Sequence, residues 1–159
     1  MNPSATEDPP VSLALQKLGI SHRVFRHPAR VTSLEQAAQE RGQRPGQVVR
    51  SIVFRLGEDH FLMALVAGPE QISWRKLRQH IGRSRLTMAS EAEVLENTGY
   101  RIGTVSPFGL PRPMRLLMGP GMLNQDEISI GSGTPSTGII LSSTDLRRAL
   151  PQAEVVPLL

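Results

Sequence analysis

The sequence predicts a single mixed α+β domain, and three observations carry that prediction. The chain has 159 residues, enough to bury a core without staples. Helix-period and strand-period segments alternate along it instead of sorting into separate halves. Several strand-period segments are joined by turns too short to hold a crossover helix, which argues against a purely parallel, doubly wound sheet.

Residues 1–10 are polar, acidic and proline-bearing and read as a flexible tail, leaving 11–159 as the domain. Val11, Leu15 and Leu18 share one face of a helix expected over 11–18, with Gly19 as its stop. Residues 20–25 alternate weakly and predict a strand ending at His27-Pro28. Thr32 and Glu35 have capping-box spacing at the start of a helix over 34–41, and Gly42 follows its end.

Residues 48–56 form the clearest strand. Val48, Arg50, Ile52, Phe54 and Leu56 fall on one face and Val49, Ser51, Val53 and Arg55 on the other. Arg50 thus shares an apolar face, where a charge must reach a partner, a ligand or water. The residues Gly57-Glu58-Asp59 turn the chain into a second strand over 60–67, a hairpin. Ser73 can cap a helix through His80, stopped by Gly82. Arg75 and Arg78 lie three apart on it, with Arg83 and Arg85 just beyond, a cluster that suits either phosphates or a solvated face.

A short strand over 86–89 precedes Ser90 and Glu93, a second capping box, for a helix through Asn97. Gly99 then delivers the chain into residues 98–111, where three glycines and two prolines are interleaved with apolar residues. Glycine admits positive φ and close approach to the main chain, and proline fixes φ and removes a donor, so this stretch can present bare amides and carbonyls in a rigid arc. Strands follow over 114–118, 128–130 and 139–141, with a turn at Gly119-Pro120-Gly121. A helix over 144–150 stops at Pro151, and an edge strand is expected over 155–158.

The net charge is +4, carried by 16 Arg and 2 Lys against 14 acidic residues. Arginine's planar fork suits phosphate and carboxylate, so a polyanionic partner is allowed. The absence of cysteine excludes disulfides and thiolate chemistry and fits a reducing, cytoplasmic setting. No stretch approaches the length of a membrane span. His22, His27, His60 and His80 lack metal-site spacing, so no metal is expected. Gly133 to Gly138 has the outer spacing of a phosphate loop, but Ile139-Ile140 replaces the required lysine and hydroxyl. No Gly-x-Ser-x-Gly elbow occurs either.

Three segments in this order resemble the YbaK/EbsC family, the editing domain associated with prolyl-tRNA synthetases. They are Gln47-Val48-Val49-Arg50-Ser51-Ile52-Val53-Phe54, the loop Thr98 to Gly109 with its Gly103-x-x-x-Pro107 motif, and Ile128-Ser129-Ile130-Gly131-Ser132-Gly133. The resemblance covers roughly residues 11–150. It implies a partly barrel-like mixed sheet with flanking helices, and aminoacyl-tRNA deacylation in trans without cofactor, metal, DNA or membrane. The implied partners are aminoacyl-tRNA, of the prolyl class, and prolyl-tRNA synthetase.

Carried onto this chain, the resemblance makes Gly103, Pro107 and Arg50 the catalytic group. Thr104, Val105, Ser106, Phe108, Gly131, Ser132 and Gly133 become substrate-binding, and Arg75, Arg78, Arg83 and Arg85 the tRNA contacts. Arg50 stands where the family's deacylases usually carry lysine, and Gly119 where relatives often carry aspartate. The arginine leaves open a second reading, a non-catalytic module binding aminoacyl-tRNA or a synthetase through the same pocket. Hydrolysis of another aminoacyl or acyl ester is a third.

Overall fold

The computed structural model of the chain describes residues 7–159; most of the expected tail, residues 1–6, lies outside the described residues. Five helices, α1 (Pro10–Lys17), α2 (Leu34–Glu40), α3 (Trp74–Ile81), α4 (Glu91–Thr98) and α5 (Ser143–Ala149), flank eight strands. The strands are β1 (Arg23–Arg26), β2 (Val49–Gly57), β3 (His60–Ala67), β4 (Thr87–Met88), β5 (Arg115–Met118), β6 (Glu127–Gly131), β7 (Thr137–Ser142) and β8 (Glu154–Val155). Short 3-10 turns at Pro45–Gln47 and Pro120–Asn124 complete the described chain.

The strands form two sheets. A small antiparallel sheet has the order β1-β7-β6, and a larger mixed one the order β4-β2-β3-β5-β8. In the larger sheet β2 pairs antiparallel with β3 as the expected hairpin, with a register irregularity between Arg55 and Gly57, whereas β3-β5 and β5-β8 are parallel. A single parallel bridge between Val48 and Ser129 joins the two sheets, which do not close into a barrel.

Local chemistry explains most of the boundaries. Glycine with positive φ ends α3 at Gly82 and α4 at Gly99. Ser90 and Glu93 cap α4 reciprocally, each side chain bonding the other's amide. At α2 the cap is Ser33, whose hydroxyl accepts from the Gln36 amide at 3.0 Å, while Thr32 donates to the Gln36 side chain. The expected Thr32–Glu35 box is therefore shifted by one residue. The strand expected over 20–25 begins only at Arg23, because the Ile20 amide closes α1 on the Leu15 carbonyl and His22 bonds Ser12 at 2.6 Å. The expected strand over 155–158 is instead Glu154–Val155, and Leu158 is buried under α3 neighbours while its carbonyl accepts from Ser73.

Both faces of β2 pack against a core, and the alternation read from the sequence sorts its residues between the two: Ile52, Phe54 and Leu56 on one face, Val49 and Val53 on the other. Val49 and Val53 belong to the larger core with Met63, Leu65, Ile128 and Ile130. Phe54 packs into a second core with Leu62, Leu77 and Leu117. Each fully buried side chain of this size contributes roughly 1.5–3 kcal/mol. β2 is thus the shared wall of two cores, and its first residues emerge where the two sheets meet.

Candidate active site

A cavity of about 700 Å³ opens at that junction. Its lining comes from four places: His27, Arg30 and Val31 with Leu34 and Ala37 of α2 and its C-cap Arg41; Val48 to Ile52 at the start of β2; Arg101 to Val105; and the ends of the small sheet at Ile130-Gly131 and Pro135 to Thr137. Arg30, Arg41, Arg50 and Arg101 line it, and no Asp or Glu does. A concave surface with that charge pattern favours an anion.

The 101–105 segment is held by its own hydrogen bonds. The Arg101 carbonyl accepts both the Thr104 amide at 3.0 Å and the Thr104 hydroxyl at 2.7 Å, and Gly103 sits at φ +90°. On the far side, the Gly133 amide donates to the Thr104 carbonyl at 2.9 Å. A Cβ on Gly131 would stand 2.7 Å from that carbonyl oxygen and closer still to that of Val105, so only glycine lets the loop lie against the end of β6. Val105 and Phe108 are buried in the larger core, which fixes the loop from below. The amides of Gly103 and Val105 have no acceptor among the described residues.

Tyr100 staples the loop from beneath. Its hydroxyl donates to the Phe108 carbonyl at 2.5 Å, and its ring lies so close to Gly133 that a Cβ there would stand 2.8 Å from it. Burial raises the Tyr100 pKa.

Arg50 reaches the cavity from β2. One guanidinium nitrogen donates to the Glu70 carbonyl, while its Nε is buried without a hydrogen-bond partner among the described residues. The hydroxyl of Ser51, the next residue along the strand, is likewise buried and unpartnered. A buried polar atom without a partner costs the folded chain stability. Burial lowers the Arg50 pKa, but an arginine stays charged.

The sequence-predicted residues divide accordingly. Arg50, Gly103, Thr104, Val105 and Gly131 come together around the cavity. Ser106, Pro107 and Phe108 do not line it; they are buried behind the loop, where the Ser106 hydroxyl accepts the Phe108 amide at 3.2 Å. Ser132 is fully buried, its hydroxyl donating to the Thr137 carbonyl at 2.9 Å, and Gly133 carries the loop rather than the lining. Arg75, Arg78, Arg83 and Arg85 lie outside the lining altogether. Arg83 bonds the Leu56 carbonyl at 3.1 Å. Leu56 is six residues beyond Arg50 on β2, about 20 Å at strand spacing.

Sequence reasoning missed a buried network under the cavity. His27 donates from Nδ1 to Glu40 at 2.7 Å and accepts at Nε2 from Arg41 Nε at 3.1 Å. Arg41 Nη1 donates to the Ser129 hydroxyl at 2.8 Å, which donates to Gln43 at 2.7 Å. The His27 bond holds the Glu40 carboxyl below its ordinary value, and burial lowers Arg41. A histidine oriented by a carboxylate suggests a general base, but Arg41 Nε–H covers the nitrogen that would accept the proton. The only sequence signal is His27 ahead of the expected second helix.

Fold and site together define an α+β domain with an arginine-lined, carboxylate-free cavity over a main-chain loop, with no activated side-chain nucleophile among the residues lining the cavity. The chain belongs to the aminoacyl-tRNA editing domain family, whose model matches residues 27–149. It is 32% identical over 143 residues to the Escherichia coli K12 protein named multifunctional Ser/Thr-tRNA deacylase ProXp-y, covering 87% of this chain and 85% of that one. A proline–tRNA ligase from Kosmotoga olearia is 34% identical over 87 residues, 55% of this chain but 15% of the ligase. A solved structure described as a candidate trans-editing enzyme for prolyl tRNA synthetase superposes with a TM-score of 0.86 at 32% identity, covering 99% of this chain and 98% of that one.

Proposed function

We propose that this protein hydrolyses, in trans, the ester linking a mischarged amino acid to the end of a tRNA of the prolyl class. The observation that carries the reading is the cavity itself: a main-chain loop, two of whose amides have no acceptor among the described residues, shares one lining with the charged, partly unpartnered Arg50, with further arginines and no carboxylate. Relatives that are named for tRNA deacylation or trans-editing support it.

In this reading Arg50 binds the terminal phosphate or ribose, leaving the ester carbonyl over Gly103 to Val105. Water or the neighbouring ribose hydroxyl orients the attack. A water oxygen bonds to the carbonyl carbon, the acyl–oxygen bond breaks, and the proton goes to the departing ribose oxygen. The Gly103 and Val105 amides stabilise the oxyanion that forms in between, preorganised by the Arg101–Thr104 turn and the Gly133 bond. Pro107 acts by fixing the backbone beneath, without touching substrate. A second step of this kind exists because binding alone separates small side chains by only about 1–3 kcal/mol per methylene. Prolyl-tRNA synthetase, the source of such errors, is the proposed partner.

The test is deacylation of tRNA for proline charged with alanine, cysteine, serine or threonine. Catalytic release of free amino acid is expected. Stoichiometric protection without release would instead support the binding-module reading, which the arginine at position 50 favours.

A further inference from the structure

Leu34, Ala37 and Arg41 lie three and seven residues apart along α2 and its cap, and all three line the cavity. Arg41 commits two of its three nitrogens to the protein, Nε to His27 and Nη1 to Ser129. Its Nη2 makes no hydrogen bond among the described residues and is not among the buried unpartnered atoms, so it keeps exposed surface on a residue that lines the cavity. The guanidinium lies flat against Gly138, where a Cβ would stand 2.6 Å from Nη2. Only glycine at 138 leaves it that room.

We propose that Arg41 determines which amino acid is removed: its free Nη2 donates to one oxygen of the aminoacyl side chain, so the site selects a hydroxyl-bearing residue over an isosteric aliphatic one. A carboxylate is disfavoured for a geometric reason. Side-on bidentate pairing through Nε and Nη2 is closed, because the single Nε–H is given to His27, and one N–H of Nη1 is given to Ser129. An aliphatic side chain of the same shape would leave Nη2 without its bond. A site built to bond an oxygen rejects the analogue lacking it more strongly than it rejects a change in size.

This inference rests on the editing reading, and the experiment separates the two. Threonyl and valyl groups, nearly isosteric, are linked by a non-hydrolysable amide to terminal deoxyadenosine, and binding to the full chain is measured by calorimetry beside turnover of the matching esters on tRNA. The wild type is expected to bind the threonyl compound roughly tenfold more tightly, the ratio typical of a hydrogen bond to a charged group. Arg41→Met and Gly138→Ala are both expected to bring the ratio towards one. Gly138→Ala displaces the guanidinium without removing it, so it remains informative where Arg41→Met fails to fold. Equal or inverted preference in the wild type, a ratio unchanged in both variants, or tighter binding of an aspartyl compound would each overturn the proposal. A threonyl preference without ester turnover would uphold it and contradict the hydrolase reading; turnover of both esters without preference would do the reverse.

Discussion

The amide of Gly133 donates to the carbonyl of Thr104 at 2.9 Å, and through this bond the glycine end of the small sheet holds the loop that floors the cavity. Gly131 completes the seat by letting the Thr104 and Val105 carbonyls approach its Cα. Gly131→Ala is expected to push the loop out of place, costing about 1–3 kcal/mol of stability, as overpacking does. Deacylation should fall more than the melting temperature does. Wild-type activity in this variant would mean that the loop's position is not critical.

Tyr100→Phe removes the bond to the Phe108 carbonyl and leaves that carbonyl buried. The expected loss is about 1–3 kcal/mol in denaturant unfolding. Spectrophotometric titration of the wild type should show this phenol, the chain's single tyrosine, ionising above its ordinary value, because burial disfavours the phenolate. Ionisation at the ordinary value would contradict the burial.

What is legible in the sequence follows from which signals are local. The β2–β3 hairpin, the Ser90–Glu93 box and the Gly82 and Gly99 stops depend on neighbours a few residues apart, and all are as expected. The Gly103 loop is legible because glycine and proline advertise unusual backbone. The network of His27, Glu40, Arg41 and Ser129 is not, since Arg41 and Ser129 are 88 residues apart and meet only when the end of α2 packs beside β6. The same limit applies to Ser106 and Phe108, carried over as substrate-binding by the family resemblance, and to Pro107, carried over as catalytic, none of which lines the cavity: a loop's sequence does not say which of its residues turn inward. The division of the sheet in two, bridged at Val48–Ser129, also has no local signal.

Acid should weaken the hold of β8 on the larger sheet. Glu154 accepts from Arg115 at 2.7 and 3.0 Å and from His80 at 3.0 Å, and the Arg115 bonds above all lower its pKa from 4.5 to about 2. A depressed carboxyl contributes stability that is present above 4.5 and is lost as pH falls towards about 2. The group is partly exposed, so the effect is small and screened by salt. Urea unfolding across that window should show a shallower acid dependence in Glu154→Gln than in wild type. Identical slopes would show that Glu154 adds nothing to the hold on β8.

A tRNA whose terminal adenosine occupies the cavity extends well beyond it, and the arginines of α3 are proposed contacts for its stem. Arg75→Gln with Arg78→Gln is expected to weaken tRNA binding and to reduce its salt slope by about one unit for each phosphate no longer neutralised. The exposed Arg30 and Arg101, at the cavity itself, should give the same signature. Affinity unchanged by the α3 pair would leave that cluster as solvated surface.

The most direct measurement is steady-state deacylation of mischarged tRNA for proline by wild type, Arg50→Lys and Arg50→Ala. Catalytic turnover by wild type is predicted, with activity retained in Arg50→Lys and reduced roughly a hundredfold in Arg50→Ala, the scale of removing a charged group that holds substrate. An inert wild type alongside an active Arg50→Lys would contradict the hydrolase assignment, placing the chain among binding modules on an editing fold.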